Sequence, residues 1–406
     1  MKKNRIKIQK EWKYAILSAF CLLILHFLLY NVSIPLDDTE TFVQKWTQKI
    51  NKPGFFRESS NEVVLFVNTS YDQELVPRNA FQFLDPSLNF INQEKGGTVA
   101  KTDRKKLFYF LKNLQGTGYK HVIIDISLSD DNHPYNDSIV DIINAMSHIT
   151  LAKSIHEPHP LRNIDKTKIG CVGYRQTSFI SDMTKIELYN DSLESVPLIV
   201  YKDLSDTRIH KNFWGFFDNF CLSHKCIYPI YRYSFNKDYD KHNFSDSTES
   251  VAEDNNLGEL CYNKESLSEY AKGKIVVVGN TSSEDRRDWH YTYKGAQPGC
   301  VILATVLMNL LDGDHQIGWI YWMFVVLLFC LYTFLSYYMF SDIHFKKIKF
   351  LEKLKVLKFV LSFMSLATIF VSISFVMFLL FSIIYFAWIP TLYFTILYNS
   401  IKAFRS

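Results

Sequence analysis

Apolar positions along the chain fall into two kinds of run, and the difference separates a membrane part from a folded domain. Long stretches with few or no charges occupy Tyr14 to Tyr30, Ile317 to Phe340 and Leu357 to about Lys402. At roughly 20 residues per crossing, the last reads as two helices with a turn near Tyr385 to Pro390, where Trp388 suits the membrane interface. Four spans are therefore expected, at 14–30, 317–340, 357–381 and 384–402. The residues after Tyr30 offer no clear small-residue cleavage site, so the first run is read as a retained anchor rather than a signal peptide.

The short runs tell a different story. Val63 to Val67, His121 to Ser127, Ile149 to Ile155, Lys168 to Tyr174, Pro197 to Tyr201 and Ile275 to Val278 are apolar, rich in branched residues and without alternation. Such runs suit strands covered on both faces. Between them come helical spacings: Phe42, Trp46 and Ile50; then Leu107, Phe108, Phe110, Leu111 and Leu114, capped by Thr102 or Asp103 and ended by Gly116 to Gly118. Ile139, Ile142, Ile143 and Met146 mark another helix, and Val301 to Leu311 a fourth behind Pro298. Strand and helix in alternation predict an α/β domain with a mostly parallel central sheet and right-handed crossovers. The stretch from Asn68 to Ala100 and the polar, acidic Asn236 to Gly258 are expected to be loop.

Charge changes the picture by its placement. Across 406 residues, 45 Lys and Arg against 41 Asp and Glu leave a net charge of +4. The basic residues crowd into 1–13, into the 341–356 loop and its margins (Lys346, Lys347, Lys349, Lys353, Lys355, Lys358), and onto Lys402 and Arg405. By the positive-inside rule these segments are cytoplasmic, which puts 31–316 outside the membrane. The expected location is the cell (inner) membrane, with both termini cytoplasmic. The excess charge is thus topology and not a nucleic-acid footprint. The basic loop, with Ile348, Phe350, Leu351 and Leu354 between its lysines, reads as an amphipathic segment lying on anionic lipid, or else as a docking site for a cytoplasmic partner.

Candidate chemistry gathers where parallel strands end. Asp125, Asp130, Asp131 and Asp137 lie at or beyond one strand; Asn280, Asp285, Asp288 and His290 follow another. Open α/β sheets place ligands at that edge, so Asp125, Asp131, Asp137, Asn280, Asp288 and His290 form the candidate ligand set. The competing reading is that Asp125 and Asp288 cap helices or hold loops through backbone N–H groups. No catalytic residue, metal site or cofactor is assigned: the chain has no Gly-rich phosphate loop and no Gly-x-Ser-x-Gly elbow, and Pro158 prevents His156 and His159 from sharing a helix face. Cys221 and Cys226 are spaced for a small disulfide loop, or with His224 for a zinc site. Asn68-Thr-Ser and Asn280-Thr-Ser are among five formal glycosylation sequons.

Taken in order, Val63 to Ser70, Thr102-Asp-Arg through Leu114 with His121 to Ser127, Asp137 with the helix after it, and Gly273-Lys-Ile-Val-Val-Val-Gly with Asp288 and Pro298-Gly299 resemble the second CHASE type, an extracytoplasmic sensory domain. Three apolar segments then follow, with Trp388-Ile-Pro, as that family has three membrane helices. The resemblance covers nearly the whole chain. It departs at Asn68, where the family often has an acidic residue, and at Leu303 and Thr305, where it often has His and Asn. The resemblance implies a non-enzymatic sensor that acts through a membrane or cytoplasmic protein partner, and it leaves homo-oligomers open. A structural subunit of an envelope complex is the alternative.

Overall fold

A computed structural model describes residues 62–77, 98–128, 133–154, 161–176, 183–190, 193–205, 226–227, 252–282, 288–292 and 295–313, with Leu327 alone beyond them. The strands in chain order are β1 (Val64–Asn68), β2 (Gln73–Pro77), β3 (Thr98–Thr102), β4 (His121–Asp125), β5 (Ile149–Ser154), β6 (Ile169–Val172), β7 (Tyr174–Gln176), β8 (Met183–Glu187), β9 (Tyr189–Asn190), β10 (Leu193–Glu194), β11 (Cys226–Ile227), β12 (Ala252–Asn256), β13 (Ile275–Gly279), β14 (Trp289–Thr292) and β15 (Gly295–Pro298). The helices are α1 (Arg104–Leu114), α2 (Asn136–Ala145), α3 (Val196–Ser205), α4 (Leu257–Leu260), α5 (Lys264–Ala271) and α6 (Gly299–Leu311).

Six strands form one sheet in the order β12-β1-β13-β4-β5-β6, every neighbour parallel. The expected parallel α/β domain is therefore present. Its strands are apolar runs because both faces are covered. Val64, Phe66, Ile123, Ile275 and Val277 face one core with α3 and α6. Leu65, Val67, Val122, Ile124, Val276 and Val278 alternate to the other, under α1, α2, α4 and α5. A side chain of each type, fully buried, contributes roughly 1.5–3 kcal/mol.

Local chemistry closes the elements. Asp103 caps α1 by accepting from the Lys106 amide at 3.0 Å, as one of the two sequence alternatives had it. Gly116 and Gly118 stop the chain after α1 with φ of 78° and 77°. At the far end of α2, the Lys168 ammonium donates to the carbonyls of Ile143 (2.8 Å) and Asn144 (2.6 Å), and to that of Met146. These are carbonyls left without partners by the helix end, where positive charge is favoured.

Three expectations are corrected. Pro197 to Tyr201, read as a strand, lies inside helix α3. Pro197 occupies the first turn, where its missing N–H is no loss, and the short apolar run packs Val196, Val200 and Tyr201 into the core at helical spacing. The loop expected from Asn68 to Ala100 contains β2, paired antiparallel with β3. The loop expected from Asn236 to Gly258 ends in β12, whose Ala-Glu-Asp-Asn-Asn sequence has little strand propensity. Among the described residues it pairs with β1 alone and forms the sheet edge.

Among the described residues no helix is long and apolar enough to cross a membrane. Apart from Leu327, the four expected spans, the helix expected at Asp37 to Lys52 and the basic loop lie outside the described residues. So do His156, His159 and Cys221, and of Cys226 only the backbone is described, so neither the disulfide nor the zinc alternative there is addressed. Cys171, Cys261 and Cys300 are buried thiols.

Candidate functional site

Parallel register brings four strand ends into one row. Asn256 of β12, Asn68 of β1, Gly279 of β13 and Asp125 of β4 stand side by side at the carboxyl edge of the sheet. Beyond β1 and β13 the chain reads Asn-Thr-Ser both times, and both tripeptides make the same turn. The Asn68 side-chain carbonyl accepts from the Ser70 amide at 3.0 Å, and the Asn280 carbonyl accepts from the Ser282 amide at 3.1 Å. An Asn side chain that bonds its own backbone two residues on is a turn built from sequence alone.

The two turns are stitched together. Thr69 N–H donates to the Gly279 carbonyl (3.1 Å), and Thr281 N–H donates to the Asn68 side chain (3.3 Å). The Ser70 hydroxyl lies 2.6 Å from Asn68 Oδ1 and 2.5 Å from Asn280 Oδ1. One hydroxyl proton thus stands between two amide oxygens and fully serves one at a time. The Tyr71 hydroxyl reaches Ser282 Oγ at 3.5 Å, and the Trp289 indole donates to the Ser282 carbonyl at 3.0 Å. The result is a tight polar rim of carbonyls and hydroxyls next to Asp125.

A second layer of contacts fixes this rim to the helices. Asp72, buried, accepts from the Lys106 ammonium at 2.6 Å and from the Gly258 amide, at the start of α4, at 2.7 Å. The hydrogen bond to Asp72 holds the Lys106 ammonium above its ordinary value, outweighing the opposing effect of burial. A Cβ on Gly258 would stand 2.4 Å from Asp72 Oδ1, so a side chain there displaces the carboxylate. Glu74 meets His133 at 3.1 Å, and the buried Arg104 guanidinium donates to Asn136 at 2.9 Å. Asp72→Ala is expected to destabilise the domain by about 1–3 kcal/mol, because it takes a buried acceptor from a half-buried amide and an ammonium. Asp72→Asn, which keeps one acceptor, is expected to cost less; chemical denaturation of both variants checks the order.

The sequence-derived candidates separate here. Asn280, the residue after β13, and Asp125, the last residue of the adjacent β4, lie at the same edge of the sheet. Asp137 is exposed in the first turn of α2, where a carboxylate favours the helix N-terminus. Asp288 and His290 form a pair of their own, 3.3 Å apart, beside the start of α6: a Cβ on Gly299 would lie 2.6 Å from Asp288 Oδ2. Asp130, Asp131 and Asp285 lie outside the described residues. Arg104, expected from the sequence to be a surface residue, is buried instead. Sequence reasoning passed over Ser70, Tyr71, Asp72, Ser282 and Trp289. The signal that would have found the first and fourth was the recurrence of Asn-Thr-Ser at two strand ends.

Against protein-family models, curated proteins and solved structures, the chain finds no match.

Proposed function

We propose that the protein is a membrane-anchored sensor whose α/β domain takes a polar ligand at the carboxyl edge of its sheet and passes its state to a partner protein through the membrane spans. The observation that carries the ligand half is the stitched pair of Asn-Thr-Ser turns beside Asp125, which presents carbonyl and hydroxyl groups where open parallel sheets take ligands. The sensory half rests on the sequence resemblance to the second CHASE type and on the spans read from hydropathy.

A scaffold in an envelope complex is the second reading, and one feature favours it. Tyr71 and Leu75, beside the same rim, are 62% and 71% exposed, an apolar surface suited to a protein partner. Crosslinking in native membranes, followed by identification of the captured proteins, separates the two. Capture of a kinase or cyclase that lacks its own sensor supports signalling. A constant set of structural envelope proteins in fixed stoichiometry overturns it in favour of the scaffold.

A further inference from the structure

At the opposite, amino edge of the sheet lies a cluster that the ligand reading does not use. His121 opens β4, His148 immediately precedes β5, and Asp203 sits in the last turns of α3. Asp203 Oδ2 stands 2.6 Å from His121 Nδ1 and 2.8 Å from His148 Nδ1. His121 Nε2 meets the Thr150 hydroxyl at 2.9 Å. Three separate elements thus aim two imidazole nitrogens and one carboxylate oxygen at a single point.

We propose that His121, His148 and Asp203 form a binding site for a divalent transition metal ion, with zinc the best match. Two imidazoles and a carboxylate supply three ligands and leave a position for water or a further ligand. A carboxylate oxygen only accepts, so without a metal both Nδ1 atoms carry the ring proton toward it; when a dication takes that place, each ring proton moves to Nε2. The Thr150 hydroxyl suits either state. It donates to Nε2 when Nδ1 carries the proton, and it accepts from Nε2–H when Nδ1 holds the metal, keeping the ring aimed in both. Zinc–ligand lengths of about 2.0–2.1 Å place ligand atoms about 3.3 Å apart in a tetrahedron, so the 2.6 and 2.8 Å separations must open by about 0.5–0.7 Å. The parts that would move are at the surface: the His148 side chain is 50% exposed and that of Asp203 30%, while His121 is fixed in the core at 3%. The same exposure gives the ion its way in.

The test uses the full-length protein in detergent, stripped with chelator and then titrated with zinc and, separately, with cobalt(II). Zinc is expected to bind at one equivalent per chain by competition with a chromophoric chelator, and to raise the melting temperature with concentration. Cobalt is expected to give the visible bands of a low-coordinate histidine site. His148→Ala, at a half-exposed side chain, is expected to lower the metal-free melting temperature slightly, through the lost Asp203 hydrogen bond, and to lose both responses; Asp203→Asn is expected to weaken them. His133→Ala and His290→Ala should bind as the parent does. A parent protein that ignores zinc, or a His148→Ala variant that binds as tightly as the parent, overturns the proposal.

Discussion

Arg104→Ala is expected to destabilise the domain by about 3–5 kcal/mol, enough to abolish its folding transition at ordinary temperature. Arg104 is 1% exposed and is the largest fully buried side chain among the described residues. It leaves the first turn of α1 and donates to Asn136 in the first turn of α2, so its charge sits between two helix N-termini, where the dipoles disfavour a cation. Truncation opens a cavity of aromatic size and withdraws a donor from a buried amide, and both effects count. Arg104→Met separates them. Methionine restores most of the volume but none of the hydrogen bonding, so its cost is expected to fall below that of alanine and to include about 1–3 kcal/mol from the amide that loses its donor. Arg104→Lys should do no better, since an ammonium lacks the planar fork that reaches several acceptors. Thermal and denaturant melts of the full-length protein in detergent, followed by near-ultraviolet circular dichroism, measure all three. An alanine variant that melts with the parent would show that the guanidinium is dispensable.

The second large effect is expected at Gly279. A Cβ built there would lie 2.7 Å from the Cys300 Cβ, closer than real carbon atoms approach. Gly279 ends the central strand β13, and Cys300 lies in the first turn of α6; each is buried. Gly279→Ala must push the helix off the sheet, at a cost of about 1–3 kcal/mol, with valine worse. Cys300→Ala keeps the offending carbon and should not rescue, whereas Cys300→Gly removes it. A double-mutant cycle should show favourable coupling for the Gly279→Ala, Cys300→Gly pair. If the two losses simply add, the close approach is not what β13 and α6 depend on.

What the sequence made legible follows from how far apart the decisive residues lie. Buried parallel strands announce themselves as unbroken apolar runs, so β1, β4, β5 and β13 were readable, and so were α1 and α6 from spacing and caps. Failures came where tertiary pairing overrides composition. Polar β12 is a strand only because β1 offers it a free edge, and Pro197 to Tyr201 is too short for apolar content to distinguish strand from helix. The candidate site divided in the same way. Asn280 and Asp125 were placed at one edge by a single topological rule. Asp72, Arg104, and the group of His121, His148 and Asp203 are each ordinary residues in their local sequence, and they become a clamp, a buried cation and a cluster only when elements from distant parts of the chain are brought together.

The parallel sheet also fixes a polarity for the whole domain. The described body begins at Glu62, just before β1, on the amino edge, and α6 starts at the carboxyl edge and runs back across the face to end at Leu311. Only 312–316 separate that helix from the span expected at Ile317, a reach of less than about 18 Å even if fully extended. If that span is a membrane helix, the rim of Asn-Thr-Ser turns is the pole turned away from the bilayer, and the histidine cluster lies at the pole turned toward it. The helix between them, about 20 Å of rigid rod at 1.5 Å per residue, is then a pushrod. A change at Asp288 or Asn280 need not travel through the core, because it already bears on the head of a shaft whose foot lies at the opposite edge of the sheet.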